Sequence, residues 1–451
     1  MPKKKTALTI EERLQQALVP AEEQPYEVPE NWVWVRLIGN VNSCLDGYRK
    51  PINSSERAKR VGKVPYYGAT GQVGWIDDYL TNEHLVLLGE DGAPFLDLLK
   101  DKAYIIFGEA WVNNHAHILK SYFGEIGNVF LMHYLNMVDY KDYVKGTTRL
   151  KLTQGSMQLM PFPLPPLSEQ QRIVERIEEL FAKLDEAKER LQEGAYSFAV
   201  RKAAILHKAF TGELTKQWRR ENGVSDESWE EITWGSFIEK IEAGKNWNAL
   251  GRPPKNGEFG VVKVSAVTWG EFLEDESKTC TEESQWNEEK RISVGDFLFS
   301  RANTIQLVGN CVIVKDVKRK LMLSDKILRF SLSERVYDFF ALWYTRTSSY
   351  RKQIESVASG NQDGMRNISQ NNMKMIIFPL PTLPEQHEIV RLIDDLLARE
   401  RAAQQAAEQA LASIDLMKKS ILARAFRGEL GTNKASEASA LELLKQVLAE
   451  N

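Results

Sequence analysis

Cationic side chains are concentrated in two short stretches of the chain. Residues 47–63 hold six basic side chains against one acid, Glu56. The six are Arg49, Lys50, Arg57, Lys59, Arg60 and Lys63, and a second patch holds Lys315, Lys318, Arg319 and Lys320 beside Asp316. Such patches attract polyanions, although solvated loops have a similar composition. Because the formal net charge of the whole chain is only −3, any polyanion binding has to be local.

Two further groups could bind a metal ion. His115 and His117 in NNHAHIL lie on one side of a predicted strand, a spacing compatible with metal ligation. No convincing third ligand accompanies them, so we predict no metal and expect a polar strand end or a hydrogen-bonded pair. The adjacent carboxylates Glu90 and Asp91 suggest a metal-dependent nuclease, but surface charge explains them more simply.

The motifs of several enzyme classes are missing. The chain has no GxxxxGK[ST] phosphate loop and no GxGxxG after a strand. Its two PP pairs stand in LPPL and RPPK, which differ from the PP-aromatic tetrapeptide of amino-methyltransferases. Cys44, Cys280 and Cys311 form no CxxC pair, which indicates ordinary thiols. We therefore predict no catalytic residue and no cofactor bound by this chain.

Composition is that of a globular protein with more than one domain. The 451 residues are 43% apolar and 27% charged, and a chain of this length exceeds one ordinary core. No stretch approaches the roughly 20 apolar residues of a membrane span. The start MPKKKTALTIEERL also lacks the apolar centre of a secretory signal. We expect a cytoplasmic protein with no membrane partner.

The elements that position these side chains are organised around a duplication. Residues 162–215 return without a gap as residues 378–431, with 22 identities in 54 aligned positions. Each copy opens on FPLP and closes on an AFxGEL motif. A repeated segment that follows two divergent blocks predicts a shared frame carrying two different heads.

Each copy of the repeat predicts one long helix. Apolar residues recur at spacings of three and four. In the first copy they are Ile173, Ile177, Leu180, Leu184, Ala187 and Leu191, and in the second Ile389, Ile393, Leu396, Ala403 and Ala407, with Glu400 on the same seam. About 40 residues of helix would span on the order of 60 Å. Gly212 and Gly428 are expected to terminate the helices.

The blocks between the helices predict mixed α/β domains. Strands are expected at residues 33–37, 85–88, 104–107, 261–264, 296–299 and 311–314. Both blocks open on similar segments, WVWVRL and WEEITW, and their middles differ. The chain ends also resemble each other, ERLQQAL against ELLKQVL, which suggests that they lie together.

These patterns give an α+β fold and a domain order. Two globular domains are separated by two long helices, which we expect to pair as an antiparallel coiled coil about a pseudo-two-fold axis. The predicted segments are an N-terminal segment packing near the C-terminal tail (1–31), domain 1 (32–161), the central helical region (162–215), a linker (216–228), domain 2 (229–377), the distal helical region (378–431) and the tail (432–451).

The duplicated PLPPLxEQxxIV…AFxGEL helix, with blocks that open on W-x-x-[VI], resembles the specificity subunit of Type I restriction-modification systems. Further phrases that carry the resemblance are PYYGATGQVG, FGVVKVSAVTWGEF, GDFLFSRANT and MRNISQ. It implies a non-catalytic subunit whose two target recognition domains each bind half of a split duplex DNA sequence. The helices would dock two modification (methyltransferase) subunits, and restriction/translocase subunits would join them. S-adenosylmethionine, ATP and Mg would then belong to the partner subunits.

A DNA reader needs cations for phosphates and planar polar groups for base edges. Candidates in domain 1 are the six basic residues named above, with Tyr66, Tyr67, Thr70 and Gln72. Candidates in domain 2 are Lys245, Asn246, Asn248, Arg252, Lys255, Lys263, Arg301, Asn303, Thr304 and Gln306. A plain hairpin around Gly68 and Gly71, with the tyrosines partly in the core, is the competing interpretation. The helix seams are the candidate docking and coiled-coil positions.

Two other functions remain open from the residues. One is a nuclease or modification enzyme with an unrecognised active site. The other is a coiled-coil scaffold whose basic loops are incidental.

Overall fold

The computed structural model describes residues 9–268, 270–362 and 365–450. The first eight residues of the predicted N-terminal segment, and Trp269 within FGVVKVSAVTWGEF, lie outside the described residues. The chain forms two units, which do not follow its linear order. Unit 1 combines the N-terminal part through Gln192 with the segment from Glu408 onward, and unit 2 spans Glu193–Ala407.

Two helices are far longer than the others, as the repeat predicts. The helices are α1 (Ile10–Ala17), α2 (Ser54–Arg57), α3 (Gly124–Met137), α4 (Gln154–Leu159), α5 (Leu167–Phe210), α6 (Lys216–Asn222), α7 (Asp338–Tyr344), α8 (Ser348–Val357), α9 (Gln370–Lys374), α10 (Leu383–Ala425) and α11 (Ala440–Glu450). Gly212 and Gly428 follow the ends of α5 and α10 with φ of 76° and 73°, a conformation that glycine adopts without strain.

Unit 1 contains twelve strands among its described residues. They are β1 (Val33–Arg36), β2 (Asn42–Cys44), β3 (Val64–Gly68), β4 (Gly71–Ile76), β5 (Thr81–Asn82), β6 (Leu85–Gly89), β7 (Ala103–Ile106), β8 (Glu109–Val112), β9 (Ala116–Ser121), β10 (Val144–Lys145), β11 (Lys151–Leu152) and β12 (Pro161–Leu164). Two four-stranded sheets have the orders β2-β9-β6-β7 and β4-β3-β8-β5, and β1-β12 and β10-β11 form two-stranded ladders.

Unit 2 follows a closely related plan. Its strands are β13 (Glu230–Thr233), β14 (Ile238–Ala243), β15 (Ala249–Leu250), β16 (Phe259–Val262), β17 (Ser277–Cys280), β18 (Phe297–Ser300), β19 (Ala302–Asn303), β20 (Cys311–Ile313), β21 (Lys320–Met322), β22 (Ile327–Leu332), β23 (Ser359–Gln362), β24 (Met365–Asn367) and β25 (Ile377–Leu380). Its sheets are β14-β22-β18-β20, β15-β17-β16-β21, β19-β24-β23 and β13-β25. Each of the six strands predicted from the sequence overlaps an observed strand, with ends displaced by at most two residues.

The divergent blocks share one topology. In both units the first sheet is wholly antiparallel. The second sheet combines an antiparallel with a parallel pairing around one strand, β3 in unit 1 and β16 in unit 2. Val33 pairs with Leu164 in unit 1, and Glu230 pairs with Leu380 in unit 2. The strand that opens each block is therefore held in the same register against the strand that precedes each long helix.

The long helices begin inside the cores of the two units. Ile173 and Ile177 of α5 are fully buried in the unit 1 core, and Ile389 and Ile393 of α10 are fully buried in the unit 2 core. Leu180, Leu184, Leu191 and Leu396 are half-buried, and Leu397 rather than Leu396 lies in the core. Three- and four-residue spacings leave adjacent positions ambiguous, which explains this one-residue difference.

Ion pairs set the helix pairing within each unit. In unit 1, Lys418 contacts Asp185 at 2.6 Å and Lys188 contacts Asp415 at 3.6 Å. In unit 2, Arg201 contacts Glu400 at 2.8 Å. Residue numbers rise on one helix as they fall on the other, so the pairing is antiparallel. The predicted α+β fold with two paired long helices is confirmed, and the pseudo-two-fold axis stays a prediction.

The Glu-Gln pair that opens each long helix ties it to the block before it. Glu169 and Glu385 are fully buried. The Trp32 indole donates to Glu169 at 2.7 Å, and the Trp229 indole donates to Glu385 at 3.1 Å. The following glutamines donate to Pro165 and Pro381 carbonyls. The sequence repeat therefore encodes the same junction twice.

The first and last helices of the described residues, α1 and α11, pack against each other in unit 1. The Asn31 carbonyl accepts from the Ala440 backbone at 2.8 Å. Among the described residues, no helix is long and apolar enough to cross a lipid bilayer.

Candidate nucleic-acid interface

The basic loop of unit 1, residues 49–63, is held against the second sheet by backbone and ring contacts. Lys50 donates its backbone N–H to Val112 at 3.1 Å, and the Trp111 indole donates to the Lys50 carbonyl at 2.8 Å. The guanidinium groups of Arg57 and Arg60 stack on Tyr66 and Trp111, 5.0 and 4.5 Å from the ring centroids. These cation–π contacts fix the loop's orientation.

The candidate cations of this loop fall into two classes. Arg49 contacts Glu90 and lies 2.9 Å from Asp46, and Arg60 contacts Asp77 at 2.7 Å. Their charges are therefore largely compensated within the protein. Lys50, Lys59 and Lys63 are exposed, which leaves their ammonium groups accessible to phosphate oxygens.

The remaining candidates of domain 1 lie on the hairpin β3–β4 and differ in their exposure to solvent. Tyr66 is 2% exposed and lies in a small core with Ile76 and Trp111. Tyr67 is half-buried, and burial raises the pKa of its hydroxyl. Thr70 and Gln72 are exposed at the turn. The turn residues are thus placed to meet a ligand, whereas Tyr66 has a structural position.

His117 belongs to a buried polar cluster. Cys44, Asp46 and His117 place potential ligand atoms within 4.8 Å of one another. His117 Nε2 donates to the Leu152 carbonyl at 2.9 Å and Nδ1 contacts Asp46 at 2.6 Å, so both ring nitrogens face oxygen acceptors. Burial raises the pKa of the Cys44 thiol to about 12. An imidazole whose two nitrogens both contact oxygen acceptors suits a structural cluster better than a metal site.

Glu90 and Asp91, the carboxylates that suggested a nuclease, form ion pairs with neighbouring basic side chains. Glu90 contacts Arg49 and lies 2.8 Å from Lys151, while Asp91 lies 2.7 Å from His115. Although burial opposes ionisation of Glu90, hydrogen bonds from Lys151 and Arg49 hold its pKa below the ordinary value. The carboxylate is therefore an ionised anchor for neighbouring cations.

The candidates of domain 2 between Lys245 and Lys263 also divide into paired and exposed side chains. Arg252 forms a two-point ion pair with Glu258 at 2.6 and 2.7 Å, which lowers the pKa of Glu258 to about 2. Lys263 is half-buried and 3.9 Å from Glu276. The exposed members are Lys245, Asn246, Asn248 and Lys255. The Lys245 ammonium lies 5.7 Å from the Trp247 ring.

The second group of domain 2 surrounds β19. The side-chain amide of Asn303 donates to the Thr268 hydroxyl at 3.1 Å, and its Oδ1 accepts from the Thr304 backbone N–H. Arg301 is half-buried, whereas Gln306 is exposed. Of this group, Gln306 is the most accessible, and the amide of Asn303 is already engaged.

Three cations that our candidate set omitted occupy comparable positions. The Lys320 ammonium lies 4.2 Å from the centroid of the Trp286 ring. Lys320 belongs to the second basic patch of the sequence. Arg149 and Lys151 are also exposed. Arg149 forms an ion pair with Asp91, and Lys151 forms one with Glu90. The segment KGTTRLK contains three cations in seven residues, a signal as strong as that of the basic loop.

At one equivalent backbone position, the two units have side chains of opposite charge. The Glu90 carbonyl accepts from the Leu152 backbone at 2.8 Å, and the Arg301 carbonyl accepts from the Ile368 backbone at 2.9 Å. Leu152 and Ile368 are 216 residues apart, the offset of the repeat. The same site in the two units thus holds an acid and a base.

The comparison with protein families decides the identity of this frame. The profile of the Type I restriction modification DNA specificity domain matches residues 29–193 and again residues 226–410. The chain belongs to this family. The two matches each comprise one block and the first part of the long helix that follows it.

Relatives of known name agree with this assignment. The chain is 27% identical over 340 residues to the Type I restriction enzyme EcoKI specificity subunit of Escherichia coli (strain K12), which covers 71% of each chain. It is 22% identical over 457 residues to the EcoDI specificity subunit of Escherichia coli, covering 94% of this chain and 96% of that one. The crystal structure of the HsdS subunit from Thermoanaerobacter tengcongensis shares the fold, with a TM-score of 0.59 and 17% identity over 90% of this chain and 100% of that chain.

The family prediction made from the repeat is therefore confirmed. The function of a Type I specificity family member is recognition of DNA sequence, and the family is not an enzyme family. The chain is a non-catalytic specificity subunit of a Type I restriction-modification system.

Proposed function

We propose that this specificity subunit reads a two-part duplex DNA target, one part with each unit. The observation that carries the proposal is the repetition of one frame with different residues at equivalent positions. Each unit has its own sheets and core, and an equivalent backbone site holds Glu90 in one unit and Arg301 in the other. Two heads of the same shape but different chemistry suit two different half-sites.

Exposed lysines would supply the sequence-independent part of binding. In unit 1 they are Lys50, Lys59 and Lys63, and in unit 2 Lys245, Lys255 and Lys320. If each of them meets one phosphate, the logarithm of the binding constant falls with the logarithm of salt concentration with a slope of roughly −5. The exposed amides and hydroxyls of Gln72, Thr70, Asn246, Asn248 and Gln306 would contact base edges.

The long helices would dock two methyltransferase subunits. Val200 of α5 and Leu416 of α10 occupy the same position of the repeat and are 70% and 59% exposed. Tyr196 and Met417 are exposed apolar residues on the same helices. Apolar side chains left open at equivalent positions fit two copies of one partner.

Catalysis would then belong to the assembled complex. The methyltransferase subunits would bind S-adenosylmethionine, and restriction/translocase subunits would use ATP and Mg. A cytoplasmic location follows, because the complex acts on the DNA of the cell.

Methylation-site sequencing tests the two-part reading. DNA from cells with this chain and its methyltransferase subunits should carry a methylated motif of two parts with a fixed gap, absent when the chain is deleted. Exchange of residues 32–161 for another such domain should change one part only, and exchange of residues 229–377 the other part. A change in both parts after a single exchange would contradict independent heads, and methylation unchanged by deletion would contradict the specificity role.

A further inference from the structure

Arg149 of unit 1 occupies an unusual position among the exposed cations. It lies between β10 and β11, in the connection that joins Lys145 to Lys151. Its Nη2 donates to Asp91 Oδ1 at 2.6 Å, and its side chain is nevertheless 60% exposed. One nitrogen of the guanidinium is therefore held while much of the group stays open to solvent.

The anchor beneath Arg149 is rigid. Asp91 is only 16% exposed and also contacts His115 at 2.7 Å. Its backbone bridges to Lys151, whose ammonium lies 2.8 Å from Glu90. Contacts through both backbone and side chains hold Asp91 in place, so the donor direction of Arg149 is set by the fold.

Packing restricts the guanidinium further. A Cβ placed on Gly92 would lie 3.4 to 3.8 Å from three atoms of the Arg149 guanidinium. These are ordinary van der Waals distances, so the flat group lies close to residue 92. An arginine held at one nitrogen and packed close to residue 92 loses less rotamer entropy than a free side chain when its other donors bind a ligand.

We propose that Arg149 is a base-reading residue of the N-terminal recognition domain and that it recognises guanine, with Asp91 as its positioning residue. This inference rests on the proposed function. A guanidinium has five N–H donors, and both of its contacts here, to Asp91 at 2.6 Å and to His115 Nδ1 at 3.4 Å, are made by Nη2. The remaining donors match the paired acceptors N7 and O6 that guanine presents in the major groove.

Charge balance favours a base over a phosphate as the ligand. The Asp91 carboxylate offsets the charge of Arg149 and thereby reduces its attraction to the phosphate backbone. The same carboxylate fixes the direction of the free donors, which matters for two-point recognition of a base edge. Lys145 on the neighbouring strand is exposed and provides a matched cation for comparison.

The test is methylation-site sequencing of the full complex with four variants: Arg149→Lys, Arg149→Gln, Asp91→Asn and Lys145→Gln. Arg149→Lys keeps the positive charge but loses two-point donation. In both Arg149 variants one guanine in the half-site read by domain 1 should become degenerate, with discrimination falling by on the order of tenfold or more. Asp91→Asn should relax the same position, and Lys145→Gln should leave the motif unchanged.

The outcomes separate this proposal from the proposed function. A two-part motif in the wild type that stays identical in Arg149→Lys and Arg149→Gln would overturn the role of Arg149 alone. A uniform fall in methylation without a change of motif, rescued by Arg149→Lys, would identify a phosphate contact and overturn base reading. If the wild-type complex itself gave no two-part motif, the proposed function would fail first.

Discussion

At the scale of single residues, two buried glutamates hold the start of each long helix. The two sites have different partners, although the sequence repeats the Glu-Gln pair. Glu169 accepts from Trp32 and from the Asn433 amide, each at 2.7 Å. Glu385 accepts from Arg219 at 2.7 Å as well as from Trp229. A buried carboxylate without a cationic partner depends more strongly on each neutral donor.

Trp32→Phe should therefore destabilise the chain more than Trp229→Phe. Loss of the indole N–H leaves Glu169 short of a donor, at a cost of about 1–3 kcal/mol. The Arg219 guanidinium remains beside Glu385 in the second variant, which should lose less. Urea denaturation of the full chain with each variant measures the difference. Equal losses of stability would show that Arg219 does not compensate.

At the scale of elements, Glu400 is paired with a cation on the facing long helix in unit 2. The sequence places it on an otherwise apolar seam, where an unpaired carboxylate would be costly. Arg201 supplies its partner at 2.8 Å, and the Arg201 guanidinium also stacks on Phe198 at 4.4 Å. The charge on the seam thus acts as a marker of antiparallel register, a role known for polar residues in coiled coils.

A charge-swap cycle tests this register. Arg201→Glu and Glu400→Arg should each lower stability, whereas the double variant should recover most of the loss. Both side chains are partly exposed, so the coupling is expected to be below about 1 kcal/mol. Thermal denaturation at low and high salt gives the coupling, which salt should weaken. If the stability losses of the two single variants simply add in the double variant, Arg201 and Glu400 do not interact.

At the scale of the whole molecule, one chain provides two heads and two equivalent helix positions. The repeat preserves the junctions and the cores, and the loops differ. Val200 and Leu416 contribute little to folding, since exposed substitutions of this kind usually change stability by less than about 0.5 kcal/mol. They are therefore suitable sites for testing partner docking without unfolding the chain.

Val200→Asp and Leu416→Asp should each remove one methyltransferase subunit from the complex, and the double variant should remove both. A carboxylate placed in an apolar interface has no partner and is expensive to bury. The mass of the purified complex, measured by light scattering, reports the stoichiometry. Val61→Asp, at a still more exposed position in the basic loop, is the control that should retain both subunits. Full complexes with all variants would place the docking surface elsewhere.

The sequence by itself determined the repeat, the two long helices, the approximate strands and the family. These features depend on local periodicity and on spacing along the chain, which a single sequence displays directly. Only the tertiary structure decided which cations are available to a ligand. Arg49 and Lys59 look alike in the sequence, yet Arg49 is neutralised by Glu90, which lies 41 residues away.

The anchoring of Arg149 likewise depends on the tertiary structure. Its anchor, Asp91, is 58 residues distant, and Arg201 finds Glu400 across 199 residues. Contacts at such separations arise from strand order and helix pairing, which local patterns do not encode. The sequence therefore determined what the frame is, and the fold determined which side chains the frame presents.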